Sequence, residues 1–221
     1  MTTKKNGDKK LENKAEALLQ GAYALQSAED NIDYYREFAP VYDQQFAQAL
    51  RYTYPYAVAK AYLTHAQARD IPVLDVGCGT GLVAQALGDF GPVDGVDISA
   101  EMIAVASGKS LYRHLYQQDL TLGSMSIGND YAGVVSAGTF THGHLGPEVV
   151  ELLLDVGRHE CLYCLGINAV HYEESGFAPM FDRLCQSGAV SGLQQSFHPI
   201  FSGGDSDHAH DKALVVTFRK C

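Results

Sequence analysis

Apolar positions first recur at helical spacing. Leu18, Leu19, Ala22 and Tyr23 predict a helix over 15–35, followed by a second helical stretch over 36–49 that Pro40 interrupts. Pro55 breaks the tyrosine-rich segment RYTYPYAV, and a third helix is expected over 55–69. The pattern then changes. Short apolar runs at 71–76, 92–97, 112–117, 131–137 and 161–169 read as buried strands. Between them lie helical stretches at 81–89, 99–108 and 147–157, the second capped by Ser99 and the third apolar at Val149, Leu152, Leu153 and Val156. A helix near 176–187 precedes two strands, 192–201 and 212–219, joined by the polar turn GGDSDHAHD.

Alternating strands and helices with short links predict an α/β fold: a doubly wound, mostly parallel seven-stranded sheet closed by a C-terminal antiparallel hairpin. The expected organisation is a basic tail over 1–14, a helical cap over 15–69 and a sheet-containing core over 70–221. A chain of 221 residues suffices for one such domain and its cap.

The strongest local signal is VLDVGCGTGLVAQAL, residues 73–87. Gly77, Gly79 and Gly81 sit between a strand and a helix, where a missing Cβ permits a tight reversal and close approach to a ligand. The spacing is GxGxG, and Leu82 stands where a dinucleotide fingerprint has its last glycine. Asp75, just before the loop, would repel a pyrophosphate but suits an amino group or a sulfonium. Asp97 ends the second strand twenty residues after Gly77, the place where an acid accepts hydrogen bonds from ribose hydroxyls. Asp119, after the third strand, is positioned for an exocyclic amino group of adenine. Helix capping and turn formation are the plainer roles for these last two acids.

Charge narrows the partners. The net charge is −10, and residues 1–14 carry five lysines against Asp8 and Glu12, so the body is more acidic still. A nucleic-acid enzyme needs a basic track, so no nucleic acid is expected, and a neutral or cationic small molecule is. No apolar run approaches the ~20 residues of a membrane span. The polar N-terminus does not read as a secretory signal, which makes a cytoplasmic enzyme the expectation. Five cysteines do not form a disulfide framework. Cys161 and Cys164 form a CxxC, but on a strand they point to opposite faces and no second pair completes a metal site. Asp205, Asp207, His208, His210 and Asp211, with His198 upstream, read as a solvated turn rather than a metal cluster, and no metal is expected.

LDVGCGTG, the acid of VDGVD and the segment QQDL resemble the cofactor motifs of class I S-adenosylmethionine-dependent methyltransferases. The likeness spans nearly all of 31–220 and is greatest to the Williams–Beuren syndrome region methyltransferase-like proteins, through YYREFAPVYDQQF, DVGCGTGLV, DGVDIS, SAGTFTHGHLGPEVVELL and INAVHYEESGF. The resemblance implies S-adenosylmethionine as cofactor. It assigns Tyr35, Tyr42, Asp75, Gly77, Cys78, Gly79, Asp97, Ile98, Met102, Asp119, Leu120, Ala137 and Gly138 to its binding. His142 and His144, on the loop after the fourth strand, are the candidate general bases, and His171 the candidate on the substrate side. One departure is VGRHE, where such proteins carry a proline–glycine–glycine turn, expected to alter a loop beside the substrate. A non-catalytic cofactor-binding module and a nicotinamide-dependent oxidoreductase are the alternatives. Leu82 and the terminal hairpin oppose the second of these.

Overall fold

The computed structural model describes residues 14–22, 24, 25, 27–202 and 211–221. Seven strands form one sheet: β1 (Val73–Val76), β2 (Val93–Asp97), β3 (Leu115–Gln117), β4 (Tyr131–Phe140), β5 (Gly157–Asn168), β6 (Val190–Pro199) and β7 (Lys212–Lys220). Their order is β3-β2-β1-β4-β5-β7-β6. The first five run parallel, and β7 runs antiparallel between β5 and β6. β1 is buried at every position, as a central parallel strand covered on both faces must be. The chain reverses sheet direction between β1 and β4, so a crevice opens at their carboxyl ends.

The helices are α1 (14–22), α2 (Ala28–Phe38), α3 (Tyr54–His65), α4 (Leu82–Leu87), α5 (Ala100–Gly108), α6 (Pro147–Val156), α7 (Ala169–Glu174) and α8 (Phe177–Gln186). One core layer joins Val134, Leu165 and Val216 of the sheet to Leu153 of α6 and Phe181 of α8. The other joins Val73, Val135 and Cys164 to Val58 and Tyr62 of α3 and Ala84 of α4. Cys161 lies in the first layer and Cys164 in the second, so the CxxC pair faces opposite ways.

The single helix expected over 15–35 is two helices. Ser27 accepts a hydrogen bond from the Asp30 N–H at 3.1 Å and caps α2, so the chain restarts there. After α2, Pro40 sits in one tight turn, Ala39–Val41, which passes into a wide-wound helix, Tyr42–Gln48. α3 stops at His65 rather than 69. β3 is shorter than expected and β4 longer, and α7 is an unanticipated short helix capped by Asn168.

Aromatic rings fasten the lead-in helices over the carboxyl ends of the strands. Tyr42 stacks on Phe46 at 4.9 Å, Phe46 meets Tyr52 at 5.7 Å, and Tyr52 meets Phe201 at 5.6 Å. Tyr52 and Phe201 are also bridged through the backbone, so the segment after β6 is tied to the lead-in segment. Among the described residues no helix is long and apolar enough to cross a membrane.

Candidate active site

At the carboxyl ends of β1, β2 and β4 lies an open cleft of ≈ 990 Å³, counting the solvent in its mouth. The glycine loop forms its floor. Gly79 has φ +51°, and no atom would lie within 4 Å of a Cβ there, so the loop presents bare backbone to open space. Gly77, at φ +63°, serves packing instead. A Cβ there would stand 2.0 Å from the Thr139 hydroxyl, which reaches back from β4 to the Val76 carbonyl at 3.2 Å.

Asp97 stands at the tip of β2. Its carboxylate accepts from the Gly79 N–H at 2.8 Å and the Ser99 N–H at 2.9 Å. Burial pushes its pKa up, and the N–H groups of Ser99, Gly79 and Ile98 hold it back. Asp119 caps the turn Leu120–Leu122, accepting from the Thr121 N–H at 2.9 Å and the Thr121 hydroxyl at 2.6 Å, while still lining the cleft. Asp119 therefore combines a capping role with a place in the wall, whereas Asp97 braces the glycine loop from the wall and leaves the cap of α5 to Ser99.

Tyr35, Tyr42, Gly77, Cys78, Gly79, Asp97, Ile98, Met102, Asp119, Leu120, Ala137 and Gly138 all line the cleft. Asp75 does not. It is fully buried behind the glycine loop, where Oδ2 accepts from the Tyr112 hydroxyl at 2.7 Å and Oδ1 has no hydrogen-bond partner. Desolvation raises its pKa to about 7; the Tyr112 hydrogen bond opposes the rise and the Asp97 charge adds to it.

The histidines separate as well. His144 lines the cleft, and burial, then the neighbouring His171, lowers its pKa to about 4. His142 is exposed, lies outside the cleft wall and packs edge-on to His171 at 6.3 Å. His171, expected beside the substrate, is 7% exposed and lines neither cavity. Its Nε2 lies 2.9 Å from the Leu145 carbonyl and its Nδ1 2.9 Å from the Ser175 hydroxyl, so it holds the loop after β4 to α7. VGRHE also lies elsewhere than expected. It opens β5 at the strand's amino end, where Glu160 pairs with Arg69 and its carbonyl accepts from Arg219, and not beside the cleft.

A second cavity of ≈ 590 Å³ adjoins the first, and Tyr35, Tyr42, Tyr52, Gly138 and His144 belong to both walls. Tyr52 and Asn168, neither of which the sequence singles out, both line this second cavity. Nothing in local pattern distinguishes Tyr52 from Tyr54 or Tyr56. Asn168 carries a weak signal, because it ends a buried strand on the side where ligands bind.

The only charged groups among the described cleft residues are Asp97 and Asp119, both acidic. Such a wall suits hydroxyl and amine donors and a positive sulfonium, and it offers no cation to a pyrophosphate. Among the described residues no cluster of three or more His, Cys, Asp or Glu could hold a metal ion. Asp205, Asp207, His208 and His210 lie outside the described residues.

A parallel sheet with one inserted antiparallel strand, acids at successive strand tips and a bare glycine loop define a Rossmann-like methyltransferase. A family model described as a methyltransferase domain matches residues 73–159. Methyltransferase-like protein 27 of Homo sapiens is 31% identical over 189 residues, which cover 80% of this chain and 75% of that protein. The chain belongs to the class I S-adenosylmethionine-dependent methyltransferases, and S-adenosylmethionine is its cofactor.

Solved structures agree on the fold. Magnesium protoporphyrin IX methyltransferase from Synechocystis PCC 6803 with bound SAM superposes with a TM-score of 0.63 at 16% identity, over 89% of this chain and 99% of that one. The plantazolicin methyltransferase BpumL in complex with SAH gives 0.56 at 16% identity, over 98% of each chain.

Proposed function

We propose that the protein methylates a small molecule held between the cofactor cleft and the N-terminal lid. The observation that carries this reading is the shared wall of the two cavities. An acceptor in the second would meet a cofactor in the first across Gly138 and His144.

Asp97 would hold the ribose hydroxyls and Asp119 the adenine amino group, with Ile98, Met102 and Leu120 against the base. Cys78, Gly79, Ala137 and Gly138 would border the methionine part. Asp75, being behind the loop, is given no direct contact. The cofactor supplies a methyl group already activated on sulfur, so alignment and exclusion of water are the tasks left to the protein. Tyr35 and Tyr42 would close the lid side and present ring faces to the positive centre. His144 is neutral at physiological pH, so its imidazole would accept a hydrogen bond from an acceptor O–H or N–H without adding positive charge beside the sulfonium.

The test is incubation with methyl-labelled cofactor and separate cell fractions of small metabolites, protein and RNA. Label in a small-metabolite fraction is the expected result. Label confined to protein or RNA would overturn the small-molecule reading. Cofactor binding with no transfer to any fraction would favour a non-catalytic module.

A further inference from the structure

The second cavity differs chemically from the cleft it joins. Its described lining contains no Asp, Glu, Lys or Arg. Its walls are largely rings, and Tyr42, Phe46, Tyr52 and Phe201 interlock at centroid distances of 4.9 to 5.7 Å. A charged ligand taken into such a space loses its water and gains no counter-ion. A flat, apolar ring system loses nothing comparable and meets ring edges and faces on several sides.

Polar atoms in the wall are few, and one of them has a fixed orientation. Asn168 ends β5 and caps α7, its Oδ1 accepting from the Val170 N–H at 3.0 Å and the His171 N–H at 3.2 Å. Because both partners are donors, the amide cannot be turned over without losing both bonds. The nitrogen of its side chain is the end not engaged in the cap, on a residue that lines the cavity.

We propose that the acceptor is an uncharged, ring-containing small molecule, selected by the charge-free aromatic wall and by a hydrogen bond from the Asn168 Nδ2 to its polar atom. This rests on the reading of the two cavities given above.

Protein saturated with S-adenosylhomocysteine is titrated calorimetrically with three probes that share a ring system: 2-naphthol, 2-naphthalenesulfonate and 2-naphthylmethylammonium. The neutral probe is expected to bind at least about tenfold more tightly than either ion. N168D keeps an acceptor for the α7 N-terminus and so keeps the cap. It is expected to retain its melting temperature and cofactor-product affinity and to shift its preference to the ammonium probe, which the added carboxylate attracts. Tighter or equal binding of either ion, no binding of 2-naphthol, or an N168D protein with unchanged selectivity would overturn the inference. Failure of S-adenosylhomocysteine to bind in the first titration would instead overturn the cofactor cleft, and the inference with it. The selectivity of the unmodified protein decides the charge claim even if N168D does not fold.

Discussion

Asp43, on the wide-wound helix of the lid, accepts a hydrogen bond at 2.6 Å from the hydroxyl of Thr80 in the glycine loop. Lys109, just past α5, donates to the other oxygen at 2.5 Å. One carboxylate thus joins the lid to two elements that build the cleft, and all three groups are largely withdrawn from water. Asp43→Ala is expected to release lid and loop together. Hydrogen bonds to a charged group contribute about 1.5–3 kcal/mol, so affinity for S-adenosylhomocysteine should fall by about tenfold or more, read by calorimetry. Asp43→Asn keeps an acceptor for Thr80 but loses the ionic partner of Lys109, so its affinity should lie between the two. Unchanged affinity in both variants would mean that the lid and the cleft are not coupled through this contact.

Asp97 is the second acid to test. Both of its oxygens face backbone N–H groups, and it also borders the cleft. Asp97→Asn must turn an amide N–H₂ toward either Gly79 or Ser99, setting donor against donor. The variant should bind S-adenosylhomocysteine at least about tenfold more weakly, from the lost acceptor and the shifted loop together. A calorimetric affinity within twofold of the parent would remove Asp97 from the cofactor site.

The glycine loop, the acids at the tips of β2 and β3 and the antiparallel end of the sheet were legible because they depend on short-range spacing. Gly77 to Asp97 is one strand–helix–strand unit, and its geometry follows from element lengths. Asp75 lies behind the loop because its environment is set at long range. Tyr112, thirty-seven residues on, supplies its hydrogen bond, and no local pattern announces that pairing. The surroundings of His171 are hidden for the same reason, since Leu145 and Ser175 take up its ring only once α7 has formed. α7 itself was missed because six residues give too little periodicity to recognise. The lid contact of Asp43 was hidden inside a segment read for its tyrosines alone.

The buried carboxyl of Asp75 gives a stability signature. Its pKa is raised to about 7, above the usual carboxylate value, so the folded protein holds this proton over a window in which the unfolded chain has lost it. In that window stability must fall as pH rises, from about pH 4 to about pH 7, and level off above. Asp75→Asn has no such proton. The stability of the variant relative to the parent should therefore climb across the window, by on the order of a few kcal/mol, in denaturant titrations at several pH values. A difference that does not change with pH would mean that Asp75 is already ionised at pH 4.

Asp94, near the start of β2, is 1% exposed and far from the cleft in the sense of strand direction. It accepts from Arg113 Nε at 2.9 Å and Nη2 at 2.7 Å, from the Tyr131 hydroxyl at 2.8 Å and from the His114 N–H at 3.1 Å. Burial would raise its pKa, but the bonds from Arg113 and Tyr131 and the Arg113 charge outweigh it and lower the pKa. Arg113→Ala would remove the two-pronged cation and leave the buried carboxylate to Tyr131 and His114. The expected loss is about 2–3 kcal/mol in chemical denaturation, below the full penalty for a broken buried pair because Arg113 is itself half in solvent. Cofactor-product affinity of the folded variant should be unchanged, which separates this acid from those at the cleft.

His144 sets the last expectation. Burial, and then the charge of His171, lowers its pKa from the ordinary 6.5 to about 4. The imidazole is therefore neutral throughout the physiological range, and a rate that depends on it should not bend near 6.5. With an acceptor in hand, kcat/KM should stay level from about pH 8 down to about pH 5 and fall only as the ring protonates below that. The same shift carries a stability consequence of definite sign. The folded protein resists a proton that the unfolded chain takes up, so stability is lost as pH falls through the window from 6.5 toward 4. His144→Gln keeps hydrogen-bonding groups at the wall but cannot protonate, so it should lose the low-pH fall while retaining affinity for S-adenosylhomocysteine. If the parent instead bends near pH 6.5 and the bend vanishes in His144→Gln, the ring titrates as an ordinary base, and its burial in the wall shared by the two cavities does not hold.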